Sequence, residues 1–405
     1  MPTHIKSKPD HFTFNALYID SLSVSNEEIM MHNILEILKA PKISNGTIAD
    51  GVSKVLLIAN YNGSLKFSIK EAAVGSDDTI YGKLSHISQF ESNSNIGWSQ
   101  SESVSEKASP INDCNGHNII TSAIYTSPNF INIANDKEYI PITIRASDAT
   151  DESIHEDVEI KVYRVPVILV HGVWTNSDES WEETKFKKTL ECDGFKVSTV
   201  DYRHHNAKTF DPCADENAGN HGIAALKQKI YKVLEGYHNQ SIAVSQVDIV
   251  AHSMGGLIAR GFTRQPDYRE KGNYMKGVIH RLITIGTPHF GADLAGILYK
   301  HKDNWYCFDK SNRTLIPWST LCGSDKMSGE SLQLKTIYSD WYFLPIDKGA
   351  IEALSPDSIA YSHLDPTKVK SYAIAGSWRP NASKSHYDLE RFYQDILSNP
   401  HFTIE

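Results

Sequence analysis

The chain has 405 residues, of which 40% are hydrophobic and 10% aromatic, and it carries a formal net charge of −9. That composition excludes a collagen-like or wholly disordered protein, and the acidic balance gives no reason to expect nucleic acid or an anionic membrane as partner. No apolar run approaches the roughly 18 residues that a membrane-spanning helix needs, and the length leaves room for two or three cores of about 100–200 residues each.

The opening stretch MPTHIKSKPDHFTFNALYID has no continuous apolar segment and no small-residue cleavage site, so no secretory leader is expected and the compartment stays unassigned. The five cysteines, Cys114, Cys192, Cys213, Cys307 and Cys322, lack paired C-x-x-C spacing. They read as scattered buried thiols, with Cys192–Cys213 and Cys307–Cys322 as the pairings open to an oxidising compartment.

Residues 1–163 read as an all-β unit. NEEIMMHNILEILKA has helical spacing of its apolar residues, and after it come VSKVLLIANY, LKFSIKEAAV, YIPITIRA and VEIKVYRV. These β-rich runs are separated by Gly, Asn, Asp and Ser clusters, the pattern of antiparallel strands joined by turns, and a β-sandwich of immunoglobulin-like kind is the economical reading. The polar, serine-rich stretch from about 90 to 117 reads as a long loop.

At VPVILV the pattern changes to a short continuous apolar run, as expected for a strand buried on both faces of a parallel sheet. From there the order is strand 167–170, helix about 180–192, strand FKVSTVDY, helix about 222–236, strand QVDIVAH, helix 254–264, strand HRLITIGT and strand VKSYAIAG. Strands alternating with helices predict a mostly parallel α/β sheet over residues 164–405, with helices on both faces. A long insertion at about 290–367, rich in Trp and Tyr, including Trp305, Tyr306, Trp318, Trp341 and Tyr342, reads as a lid or cap with irregular helical pieces.

The chemistry concentrates at three places. In Ala251-His252-Ser253-Met254-Gly255, a strand run leads through one serine into a helical run. The small residue Gly255 lets the chain turn sharply there, which exposes the serine and gives it the setting of a nucleophile. His171 and Gly172 follow VPVILV. Gly172 permits a turn that aims the Val173 N–H, together with that of Met254, at a developing oxyanion. His171 reads as a brace for that loop and not as a base. Thr287-Pro288-His289-Phe290-Gly291 fixes a turn at the end of the next strand, on the same sheet edge. His289 is expected to lie along that edge instead of reaching Ser253, and Asp293 is a weak candidate acid.

Together PVILVHGVW, VDIVAHSMGGLIAR and RLITIGTPHFGADLAG resemble the α/β-hydrolase superfamily of lipases and esterases, near triacylglycerol-lipase-like and GPI inositol-deacylase-like hydrolases. The resemblance implies an ester or lipid substrate, Ser253 as nucleophile, and Val173 and Met254 as oxyanion donors, with His252 lining the site. In that superfamily the acid follows the strand that here is VKSYAIAG, commonly in Asp-Gly-x-Val, with the histidine further on. No such stretch occurs in 377–405, so the resemblance implies an acid and a base beyond residue 405. Within the chain, His386 and His401, Asp388 and Asp395 are the residues after the last strand that stay open, and Asp201 is a mid-chain alternative. The two carboxylates in YDLERFYQDIL read as a solvated helix face. His204 and His205 lack spaced carboxylates, so no metal, nucleotide or other cofactor is expected. A hydrolase-like chain without turnover, or an amidase or thioesterase using the same serine, remain the alternatives.

Overall fold

The structure, a computed structural model, describes residues 12–19, 37, 39–61, 65–71, 78–85, 111–112, 119–133, 137–214, 221–270, 273–300, 306–309, 314–317, 341–342, 349–364 and 369–375. The sequence-read helix at NEEIMMHNILEILKA falls almost wholly outside these residues, as does most of the 90–117 stretch.

In chain order the first strands are β1 (Thr13–Tyr18), β2 (Gly46–Ile48), β3 (Lys54–Asn60) and β4 (Leu65–Ile69). After a one-turn helix, α1 (Asp78–Tyr81), come β5 (Lys83–Ser85), β6 (Ile111–Asn112), β7 (Ile119–Thr126), β8 (Tyr139–Asp148) and β9 (His155–Tyr163). β6 lies inside the stretch read as a loop and pairs antiparallel with β7. One sheet has the order β1-β3-β7-β5, all antiparallel. Val55, Leu57 and Ala59 of β3 alternate toward the same buried cluster as Phe67 of β4, Ile142, Ile144 and Ala146 of β8, and Ile160 and Val162 of β9. This period of two places both sheets against one core.

The second half contains β10 (Val167–Val170), α2 (Phe186–Cys192), β11 (Val197–Val200), α3 (His221–His238), β12 (Ile242–Ala243), β13 (Val247–His252), α4 (Met254–Phe262) and β14 (Ile279–Ile285). α5 (Asp293–Lys300), β15 (Tyr306–Asp309), β16 (Thr314–Pro317), β17 (Trp341–Tyr342), α6 (Gly349–Leu354) and β18 (Lys370–Ile374) follow. Strands β11-β10-β13-β14-β18 form one sheet in which every pairing is parallel. All four residues of β10 are buried, which explains its unbroken apolar run. Ile168 and Val170 face α3 and α4, whereas Val167 and Leu169 face Trp181 and the α2 residues Phe186 and Leu190. Helices therefore cover both faces, as the α/β reading requires.

Three departures from the sequence reading have physical causes. The helix expected at about 180–192 is broken: Lys185, with φ 61°, is left-handed and separates the short helical segment Asp178–Glu182 from α2. The insertion between β14 and β18 holds a small antiparallel sheet, β16-β15-β17, besides helical pieces. Of its aromatics, Trp305 and Trp318 lie outside the described residues. Finally, β12 pairs parallel with β2, and β2 runs parallel to β9, so a strand from beyond residue 163 is built into the second N-terminal sheet, β12-β2-β9-β8-β4. Asp50 seals this junction. Buried, it accepts from Ser53 N–H at 2.7 Å, Ser53 Oγ at 2.7 Å, Ser127 Oγ at 3.0 Å and Ser245 N–H at 3.1 Å.

Cys192 and Cys213 are exposed and unpaired, which corrects both their reading as buried thiols and their candidate disulfide. No helix among the described residues is long and apolar enough to cross a membrane.

Candidate active site at the sheet edge

Parallel pairing brings the ends of all five strands to one edge. Val170 pairs with Ala251 and His252 with Ile285. Continuing those registers by one or two residues sets Gly172 beside Ser253 and Gly286 on its other side. β18 ends at the same level, because Gly286 N–H donates to the Ile374 carbonyl at 2.9 Å.

Ser253 occupies the turn between β13 and α4 with φ 52° and ψ −128°. A non-glycine residue rarely adopts this conformation, at a cost of about 1–3 kcal/mol. The surroundings hold it there. Its N–H donates to the Ile285 carbonyl at 2.8 Å, and its carbonyl accepts from Gly256 N–H at 3.1 Å and from Thr287 Oγ at 2.8 Å. Its hydroxyl does not cap α4, so it stays available for chemistry, and the residue is half-buried.

Three glycines make the close approach possible. A Cβ on Gly172 would stand 2.9 Å from Ser253 Cβ and 3.3 Å from His252 Nδ1. On Gly255 it would meet the backbone oxygens of His171 and Val170, at 2.5 and 2.7 Å, and on Gly256 it would run into the Thr287 side chain. The first turn of α4 thus lies directly on the end of β10 and on the turn after β14. Val173 directly follows Gly172, and Met254 opens α4 directly after Ser253. Trp174, next to Val173, takes φ 55°, so the loop after β10 is itself sharply bent.

His171 is a brace. Fully buried, its Nε2 accepts from Tyr202 N–H at 3.1 Å while Nδ1 lies 2.9 Å from the Gly172 carbonyl. Its ring stacks on Tyr202 at 3.9 Å between centroids. Asp201 Oδ1 lies 3.6 Å from Nε2, a longer contact than those Asp201 makes to Arg203. Asp201 is instead held by Arg203, whose Nε donates at 2.6 Å and whose N–H donates at 2.9 Å. Burial opposes its ionisation, but the contacts to His171 and Arg203 win and hold its carboxyl below the ordinary range. It also accepts from Ser177 Oγ at 3.3 Å, so its described contacts run to the loop after β10 and to Arg203.

His289 lies along the edge. Nε2 is 3.1 Å from Thr284 Oγ and Nδ1 is 3.3 Å from Arg260, whose other terminal nitrogen donates to the Leu364 carbonyl at 2.8 Å. Burial, then the Arg260 charge, lowers the imidazole pKa. Asp293 is exposed at the start of α5, and His252 is exposed at the end of β13. Among the described residues no histidine hydrogen-bonds Ser253 Oγ. His386, His401, Asp388 and Asp395 lie outside the described residues. Thr287 was missed as a positioning residue in the sequence, although it stands in the TPHFG turn. Its contact with the Ser253 carbonyl arises from the packing of two strands and is not encoded in either run alone.

Residues 217–302 match the family described as PGAP1-like alpha/beta domain, a stretch that carries α3, β13, the Ser253 turn, α4 and β14. No curated protein matches the chain in sequence. Among solved structures, the chain is similar to lipase BlEst2 of Bacillus licheniformis, with 16% identity, a TM-score of 0.32, and coverage of 57% of this chain and 74% of that one. Phospholipase PlaB of Legionella pneumophila shares 17% identity at a TM-score of 0.30, over 52% of this chain and 38% of its own. The rice cell wall degrading esterase LipA of Xanthomonas oryzae shares 10% at 0.27, over 90% and 81%. By the family match and by the three motifs that frame Ser253, the chain is recognised as similar to the α/β-hydrolase superfamily of lipases and esterases, with a PGAP1-like alpha/beta segment at its centre.

Proposed function

We propose that the protein is a serine hydrolase that cleaves carboxylic esters through an acyl-enzyme on Ser253. The observation that carries this reading is the strained Ser253 turn, with an uncapped hydroxyl and Gly172 packed against it. Backbone strain of this kind survives where surrounding contacts hold it, and it concentrates at reactive positions.

In the proposed cycle Ser253 Oγ attacks the ester carbonyl and its proton passes to a histidine. The N–H groups of Val173 and Met254 hold the oxyanion, a contribution for which losing one donor typically costs about 3–4 kcal/mol of barrier. The histidine then protonates the departing alcohol, and water releases the acid by the reverse sequence. The chain after β18 leaves from the edge that holds Ser253, which favours His386 or His401 over the braced His171 and His289 as the base. Residues 1–163 are read as an accessory β-sandwich domain of immunoglobulin-like kind, and the 290–367 insertion as a lid over the site. An ester or lipid is the substrate class.

The test is fluorophosphonate labelling of the 405-residue chain beside Ser253→Ala, with p-nitrophenyl esters of increasing acyl length on the same samples. Labelling and turnover that vanish in Ser253→Ala support the reading. A folded protein that neither labels nor hydrolyses would support the alternative, a hydrolase-like chain without turnover. Turnover of thioesters or amides in preference to esters would move the assignment to a thioesterase or amidase.

A further inference from the structure

A second cluster lies away from Ser253, at the far end of α4. Phe210, buried beneath this end, makes an edge contact with Tyr361 at 5.6 Å between ring centroids, and its carbonyl lies beside Gly261. Directly after Phe210 the chain turns: Asp211 Oδ1 accepts from Cys213 N–H at 2.9 Å, so the Asp211 and Cys213 side chains are gathered on one short loop. Opposite them, His363 ends the short helix Ile359–His363, and its Nδ1 lies 2.8 Å from Asp211 Oδ1. The donor atoms of Asp211, Cys213 and His363 all fall within 4.8 Å of one another.

We propose that Asp211, Cys213 and His363 bind a zinc ion, contrary to the sequence expectation of no metal. A thiolate, an imidazole and a carboxylate form a donor set that suits zinc, whereas calcium and magnesium take oxygen ligands. Tetrahedral bonds of about 2.0–2.3 Å place ligand atoms roughly 3.3–3.8 Å apart. The His363–Asp211 pair opens by about half an ångström to admit the ion, and the Cys213 sulfur closes in. Cys213 gives its thiol proton to solvent on binding, and water completes the fourth position.

Both halves of the site rest on the core instead of on mobile surface groups. Phe210 anchors one side, while the Arg260 bond to the Leu364 carbonyl, at 2.8 Å, anchors the other. The ion joins the loop that follows β11 to the C-terminal end of the insertion between β14 and β18, segments 152 residues apart in sequence. Its role is a clamp on the insertion, separate from the chemistry proposed at Ser253, and the site stands or falls independently of that activity.

The experiment uses the full chain, freed of metal by dialysis against a chelator. Zinc sulfate is titrated with metal content and melting temperature as readouts, and cobalt chloride is then substituted to record its visible and near-ultraviolet spectrum. A single equivalent taken up at sub-micromolar affinity, a rise in Tm, and a sulfur-to-cobalt charge-transfer band are expected. Cys213→Ser removes the band, and Cys213→Ser and His363→Gln each weaken uptake by at least about tenfold. Cys192→Ser, which alters the other exposed thiol among the described residues, changes neither. Substoichiometric or weaker uptake, or a cobalt spectrum without the sulfur band in the unmodified protein, overturns the proposal whether or not the variants fold. Uptake that persists in both variants does the same.

Discussion

A Cβ on Gly172 would stand 2.9 Å from the Cβ of Ser253, although 81 residues separate the two in sequence. The contact follows from parallel pairing, which carries the β10 loop to the same level as the end of β13. Gly172→Ala is therefore expected to push the loop off Ser253 and displace the Val173 N–H. A shift approaching 1 Å at such a site costs about a hundredfold in rate. Fluorophosphonate labelling slowed by that order, with Tm within a few degrees of wild type, is the expected result. Unchanged labelling would mean that the loop after β10 does not take part.

The φ of 52° at Ser253 makes a stability prediction that is independent of activity. Ser253→Gly relieves the backbone strain of about 1–3 kcal/mol and returns part of it through the greater freedom of glycine in the unfolded chain. Ser253→Gly should be more stable than Ser253→Ala by about 1 kcal/mol in urea unfolding. Equal midpoints for the two variants would show that the turn is not strained.

Thr287 Oγ donates to the Ser253 carbonyl at 2.8 Å. Thr287→Val keeps the shape and removes the donor, at an expected cost of about 1 kcal/mol. Labelling of Ser253 should slow in the same variant, because the turn is held from fewer sides. Loss of stability with full labelling would confine Thr287 to folding.

Tyr61 donates its hydroxyl proton to Asp148, which also accepts from Thr150 and Asp151 N–H groups at 2.7 and 3.0 Å. Burial opposes ionisation of Asp148, but the hydrogen bonds from Thr150, Tyr61 and Asp151 outweigh it and hold the carboxyl at about 2. Burial first, then the Asp148 bond, pushes the Tyr61 phenol up to about 12. The depressed carboxyl stabilises the fold above its unfolded pKa near 4 and loses that effect as pH falls through about 2. The raised phenol stabilises below its unfolded pKa near 10 and loses that effect as pH rises through about 12. Tm measured against pH should decline at both extremes. Tyr61→Phe is expected to shrink the alkaline decline, and Asp148→Asn the acid one; profiles parallel to wild type would exclude the pair as a contributor.

Asp50→Ala strips a buried acceptor from donors on both sides of the junction, Ser53 and Ser127 on one and Ser245 on the other. Buried donors left without a partner cost about 1–3 kcal/mol. The expected result is a loss of about 3 kcal/mol, with faster amide exchange at Ser245 and in the β12–β2 pair. Exchange changes confined to residues near 50 would show that the two parts are not coupled here.

What could be read in advance from the residues was what neighbours along the chain decide. VPVILV announced a strand covered on both faces because four consecutive apolar side chains need an apolar surface on each side, and all four are buried. The small residues around Ser253 announced a sharp strand-to-helix turn, whereas the backbone oxygens that a Cβ at Gly255 would meet, those of His171 and Val170, are brought there by the tertiary structure. The expectations for His171, as a brace, and for His289, as a residue lying along the sheet edge, came from their nearness to a turn. The tertiary structure decided whatever depends on which strands become neighbours. The β12–β2 pairing has two residues on the β12 side, too few to carry a period. The Thr287 contact, the Asp50 junction and the Asp211–Cys213–His363 cluster each join residues whose separation along the chain carries no pattern. Only closure of the parallel sheet and packing of the insertion onto it bring those groups within reach of one another.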